Sequence, residues 1–109
     1  MLDSQAQICL AQGDAADANR RGRAALDLAL RVDNRKAVVD ALLTIARARA
    51  ALGDSAGSLD ANRQAGEFAR ETGTPDLVRK SLRAWADALA ERGEHERAYA
   101  LMREAMAAS

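Results

Sequence analysis

The chain has 109 residues and a mass of 11.6 kDa, enough for one domain with a modest core but not for two independent ones. Sixteen basic against sixteen acidic residues give zero formal net charge, which removes the electrostatic footprint of a nucleic-acid binder, and a single cysteine excludes an internal disulfide or a cysteine-rich zinc site. Hydrophobic residues make up 49% but aromatic ones only 3%, so the core must be built from Ala and Leu, which suits closely stacked helices better than a sheet sandwich.

The first segment, MLDSQAQICLAQ, carries Asp3 and no basic residue before a short apolar run, so it does not read as a signal peptide. No later apolar run approaches the ~20 residues that a bilayer requires. With one thiol, this predicts a reducing compartment, the cytoplasm, and no membrane partner. Gly13-Asp14 then reads as a turn: a left-handed C-terminal glycine followed by an N-capping carboxylate. Beyond it lies a second helix containing the basic cluster Arg20, Arg21 and Arg23. Asp17 and Asp27 are within helical reach of that cluster, so it reads as a solvated face.

From Asn34 to Leu52, Val38, Leu42, Ile45, Ala46 and Leu52 recur at helical spacing and form one apolar face. Gly53 and Asp54 repeat the turn. The next helix places Leu59, Asn62, Ala65, Gly66, Phe68 and Ala69 on one stripe, with small residues where a neighbour must come close. The strongest helix start follows: Gly73 ends one helix, Thr74 caps the next, Pro75 fits its first turn and Asp76 favours the positive end of its dipole. Leu77, Val78, Leu82, Trp85, Ala86 and Leu89 form the stripe after it. Gly93-Glu94 makes the third turn, and Ala98, Leu101, Met102 and Ala105 form the last stripe.

The three turns are 40 residues apart, and the chain overlays on itself at that period. Leu2, Leu42 and Leu82 coincide, as do Ala6, Ala46 and Ala86, then Ala18, Ser58 and Ala98, then Ala25, Ala65 and Ala105. A hairpin of two helices cannot bury its own apolar face, so such units must stack. The pattern predicts a single domain, 1–109, in three units: 1–33, truncated at its start, 34–73 and 74–109. In the second and third units the first helix begins several residues before Leu42 or Leu82, whereas only Met1 precedes Leu2. The expectation is therefore a piece of a longer array or of a multidomain protein.

On these residues the chain resembles the tetratricopeptide repeat in its longer form. Its small first-helix residue matches Ala6, Ala46 and Ala86, its turn glycine Gly13, Gly53 and Gly93, and its second-helix small residues Ala18, Ser58, Ala98, Ala25, Ala65 and Ala105. Departures occur where the family has a large first-helix residue, here Gln5 beside Ile45 and Trp85. They occur also at two aromatic positions, filled by Cys9, Arg49 and Leu89 and by Gly22, Asn62 and Met102, and in the missing closing proline. The resemblance implies an all-α, right-handed superhelical stack of antiparallel hairpins, with five to six helices.

No residue pattern points to catalysis or to a cofactor. Cys9 has no His or basic neighbour to activate it and reads as a packing residue. His95, between Glu94 and Glu96, has no second His with which to hold a metal. Trp85 reads as core in the seam opposite Ile45. Glu94/Glu96 and Glu67/Glu71 sit among Arg70, Arg92 and Arg97 as solvated ion-pair partners. A helix-turn-helix is disfavoured by the length of the helices and by the recurrence of the unit. No phosphate-binding loop follows Gly53 and Gly57.

The resemblance implies that first helices line a concave surface, which names Asp40, Leu43, Arg47, Lys80, Arg83 and Asp87 as partner-binding residues for a peptide or helix carrying an acidic group. The expected function is a non-catalytic protein-protein interaction or sensory module of a bacterial signalling or transcriptional regulator. The Arg-, Ala- and Asp-rich, Lys-poor composition agrees with a high-GC genome. The alternative is a dimerisation module using exposed apolar surface of the terminal helices, with Leu101, Met102 and Met106 as the self-association candidates.

Overall fold

The computed structural model describes residues 4–108, with side chains described from Gly13 onward, so the side chains of Leu2, Gln5, Ala6 and Cys9 lie outside the described residues. Five helices follow one another: α1 (Ser4–Arg31), α2 (Arg35–Ala51), α3 (Ser55–Thr72), α4 (Pro75–Glu91) and α5 (His95–Ala107). Each packs on the next in chain order, and the described residues form an all-α stack of helices joined by very short turns. Among the described residues the backbones of α2 and α4 also approach each other, whereas α3 and α5 meet through long side chains.

The turns form for the reasons the sequence gives, with local differences. Gly53, Gly73 and Gly93 have φ of 83°, 68° and 81°, the left-handed region where an L side chain is strained. Asp54 caps α3, accepting a hydrogen bond from the Gly57 N–H at 2.9 Å. Thr74 occupies the N-cap of α4 but makes no side-chain cap; its N–H donates to Thr72 Oγ1 at 3.3 Å, while Pro75 and Asp76 fill the first turn as expected. Between α1 and α2 the left-handed position is taken by Asp33, φ 55°, and Asn34 caps α2 by accepting from the Ala37 N–H at 3.1 Å.

Gly13-Asp14 is not a turn. α1 runs through it as one helix of 28 residues, so the described residues of the first unit form no hairpin, and the described residues hold five helices. In the second unit the Asp54 carboxylate occupies the space that a Cβ on residue 57 would need. The matching position in the first unit is Asp17, whose carboxylate instead pairs with Arg20 at 3.1 Å and Arg21 at 3.0 Å. Without that cap, keeping Gly13 helical costs only about 1 kcal/mol relative to alanine.

The core divides by unit. Val38, Val39, Leu42 and Leu43 of α2 pack with Ala29, Ala65, Ala69 and Leu77, while Leu82, Trp85, Ala86 and Leu89 of α4 pack with Ala98, Leu101 and Ala105 of α5. Trp85 is buried as expected but does not face Ile45, which packs with Ala46 and Ala61. Its ring lies against Gly66, where an added Cβ would meet Trp85 Cε3 at 2.7 Å. Gly22 receives Ile45 in the same manner, at 2.9 Å from Cγ1. These helical glycines are close-approach sites.

Ser81 is 0% exposed, and its Oγ has no hydrogen-bond partner. Forty residues earlier the same place holds the buried Ala41. Desolvating an unpaired hydroxyl costs about 1–3 kcal/mol. Ser81→Ala is therefore expected to stabilise the protein by about 1 kcal/mol, read as a higher urea midpoint with an unchanged slope.

Candidate functional site

The face that α2 and α4 share carries the candidate site. On α2, Asp40, Leu43, Thr44 and Arg47 follow the three-and-four spacing that aligns side chains along one helix face. Lys80 and Ala84 of α4 lie opposite them, Asn62 of α3 completes the lining, and the groove so formed has a volume of about 280 Å³. Lys80 Nζ donates to Asp40 Oδ1 at 2.8 Å, an ion pair between residues one repeat period apart that ties the two walls together. Thr44 Oγ1 is used within its own helix, donating to the Asp40 carbonyl at 3.0 Å.

Of the six residues expected here, the structure brings Asp40, Leu43, Arg47 and Lys80 into one groove. Arg83 and Asp87 lie one step further along α4, in an adjoining depression of about 500 Å³ shared with Lys80, Ala84, Asp76 and Arg79. Leu43 is not an exposed anchor: only 6% of its surface is accessible, and it belongs to the α2 core. Thr44, Asn62 and Ala84 were not among the expected lining. Asn62 had a signal in the sequence, as the one polar residue within the apolar stripe of α3.

The electrostatics of this face follow from its pairing. Lys80 and Asp40 neutralise each other, and Asp76 pairs with Arg79. Among the described residues Arg47 and Arg83 make no ion pair and are exposed, which leaves the face with two free guanidinium groups beside one free carboxylate, Asp87.

The opposite side of the stack is closed by pairing. Arg70 of α3 donates Nε and Nη2 to the two carboxylate oxygens of Glu104 of α5 at 2.8 and 2.7 Å, and its guanidinium lies 5.3 Å from the Trp85 ring centroid. The Glu104 hydrogen bonds raise the Arg70 pKa above its ordinary value. On the exposed face of α3 the Asp60 carboxyl is held below its ordinary value of 3.8, first by the hydrogen bond from Arg63 and then by that from Gln64. The stability this lends is complete above the ordinary value and is lost as pH falls through the lowered one; side-chain exposure keeps it small.

The terminal-helix candidates separate. Leu101 is 8% exposed and packs into the core of α4 and α5, so it offers no surface for self-association. Met106 is 75% exposed, and with the half-buried Met102 it lines a cavity of about 390 Å³ that also includes Arg79, Arg83 and Ala105. His95 is exposed at the start of α5. Among the described residues no group of three or more His, Cys, Asp or Glu side chains is placed to hold a metal ion, and no helix is long and apolar enough to cross a membrane. Comparison with protein-family models, with curated proteins and with solved structures finds no match for this chain.

Proposed function

We propose that this chain is a non-catalytic, tetratricopeptide-like repeat module that binds a protein partner through an acidic peptide or helix laid along the α2/α4 face. The observation that carries the reading is the pair of free guanidinium groups, Arg47 and Arg83, set against one free carboxylate, Asp87, on a face whose other charges pair as Lys80–Asp40 and Arg79–Asp76. A guanidinium recognises carboxylates bidentately and is weakly hydrated, which suits it to such a face. The 40-residue period supports the family reading. The Arg-rich, Lys-poor composition supports a bacterial signalling or regulatory protein, and the single cysteine supports a cytoplasmic setting.

A selection from a displayed random-peptide library tests this reading. The protein is expected to enrich sequences with two or more Asp or Glu residues, and the Arg47→Glu/Arg83→Glu variant is expected to lose that enrichment while keeping its helical content. Enrichment indifferent to charge, or unchanged in the variant, would refute the groove.

A second reading, self-association through the last helix, draws on the exposure of Met106 and Tyr99. With Leu101 buried, Met102 and Met106 are the expected candidates that still reach the surface. A Met106→Glu variant that turns a dimer into a folded monomer would favour it.

A further inference from the structure

The groove between α2 and α4 holds a buried polar group that the protein leaves unused. Asn62 of α3 is only 7% exposed, and what remains open faces the groove that it lines. Among the described residues its side-chain amide makes no hydrogen bond. Unlike Asn19 Oδ1 and Ser81 Oγ, which are sealed from solvent without a partner, its oxygen and nitrogen stay accessible through the groove. The polar groups around it are committed elsewhere: Lys80 donates to Asp40, and Thr44 Oγ1 to the Asp40 carbonyl. Arg47 is the exception, exposed and without an ion pair.

Burying an amide costs free energy unless its donor and acceptor are matched, so such a place is ordinarily apolar. One period away it holds Gly22 on one side and Met102 on the other. Asn62 therefore stands where packing has no use for an amide, with its polar end open to the surface from which a partner can come. The chemistry of the amide selects that partner. It sets one acceptor beside one donor group, whereas a carboxylate has only acceptors and an ammonium only donors, so either would leave half of it unmatched. A residue of an extended peptide presents N–H and C=O on the same edge and satisfies both, as paired residues do in an antiparallel ladder.

A helix cannot supply that pair, because its main-chain groups are spent on its own hydrogen bonds. Size agrees. Two turns of helix, about 10 Å across, fill roughly 800 Å³, whereas the groove holds about 280 Å³. Taking the α2/α4 face as the binding surface proposed above, we infer that the partner lies in it as an extended peptide segment, its main chain held by two hydrogen bonds at Asn62 and its acidic side chains turned to Arg47 and Arg83. Asn62 fixes the chain, and the guanidinium groups read its charge. Main-chain hydrogen bonds give affinity without sequence preference, so the selectivity of this face belongs to the arginines.

The test uses one acidic peptide recovered from the library selection and a series of its analogues, each N-methylated at a single residue. Asn62→Leu, close in shape to the native side chain, is expected to weaken the acidic peptide at least about tenfold while keeping the preference for it over its Lys-substituted counterpart. In the parent, one of the N-methyl groups is expected to cause a similar loss, because it removes the N–H that Asn62 accepts. In Asn62→Leu that same methyl group should cost nothing further. The urea midpoint of the variant is expected to equal or exceed that of the parent, since an apolar side chain replaces an amide without a partner. Asn62→Ala repeats the comparison with a smaller side chain. Lower midpoints in both variants with binding unchanged would make Asn62 a structural residue, and losses at several consecutive methylated residues in parent and variant alike would mean a helical partner; either overturns the inference. Failure to recover any acidic peptide would instead overturn the reading of the face itself, and this inference with it.

Discussion

Trp85→Ala is expected to destabilise the protein by about 3–5 kcal/mol, lowering the thermal midpoint by roughly 15 °C or more. The ring is buried between α4 and α5 on one side and the α3 backbone at Gly66 on the other. Its edge carries the Arg70 guanidinium, which Glu104 in turn holds from α5. Removing it leaves a cavity in an Ala-rich core that has few long side chains able to collapse into the space. It also removes the platform beneath the Arg70–Glu104 link between α3 and α5. Chemical denaturation followed by circular dichroism measures this directly. A loss below about 1 kcal/mol would mean that Trp85 is not at the centre of this core.

Gly66→Ala is the second large effect, and its sign depends on the first. Alanine in a helix interior is favoured over glycine by about 1 kcal/mol. Here, however, its Cβ would lie 2.7 Å from Trp85 Cε3 and 3.4 Å from Leu82 Cδ2, and an indole ring fixed on both sides cannot give way cheaply. Overpacking of this kind costs about 1–3 kcal/mol, and the helix gain of about 1 kcal/mol offsets part of it, so the net expectation is a loss of up to about 2 kcal/mol. In a Trp85→Ala background the obstruction is gone, and the same substitution should become stabilising by a few tenths to about 1 kcal/mol. A double-mutant cycle reads this reversal as a coupling term. Additive effects would show that Gly66 and Trp85 do not touch.

The turns were legible because their chemistry is local. Gly53, Gly73 and Gly93 stand where only a residue without a Cβ avoids strain, and Asp54 caps through its own side chain. The apolar stripes of α2 to α5 were legible because helical spacing alone puts Leu42, Ala65, Leu82 and Leu101 on faces that must be buried. Gly13-Asp14 misled because the same two letters fit either a turn or a continuous helix: Asp54 caps α3 at the Gly57 N–H, whereas at the matching place in the first unit Asp17 pairs with Arg20 and Arg21 along α1. Asp33 took a left-handed turn position usually filled by glycine, a substitution open to Asp because its short side chain tolerates that conformation.

The site was legible in part for a similar reason. Spacing puts Asp40, Arg47 and Lys80 on one surface, but only packing decides that Leu43 sinks into the core beneath them and that Asn62 reaches the groove from the neighbouring helix. The Arg70–Glu104 link spans 34 residues rather than the 40 of the repeat, so the period gave no reason to seek it. Leu101 and Met106 looked alike as apolar letters of the last helix. They lie five positions apart, which turns them to different sides of a helix, and only one faces α4.

The measurement closest to the central claim is a charge exchange across the groove, using one acidic peptide recovered from the library selection and its Lys-substituted counterpart. By fluorescence anisotropy, Arg47→Glu/Arg83→Glu should bind the acidic peptide at least about tenfold more weakly than the parent, and the Lys-substituted peptide at least about tenfold more tightly than the parent does, a change of about 1.4 kcal/mol each way. If both proteins bind both peptides alike, Arg47 and Arg83 do not face the partner, and the α2/α4 face is not the binding surface.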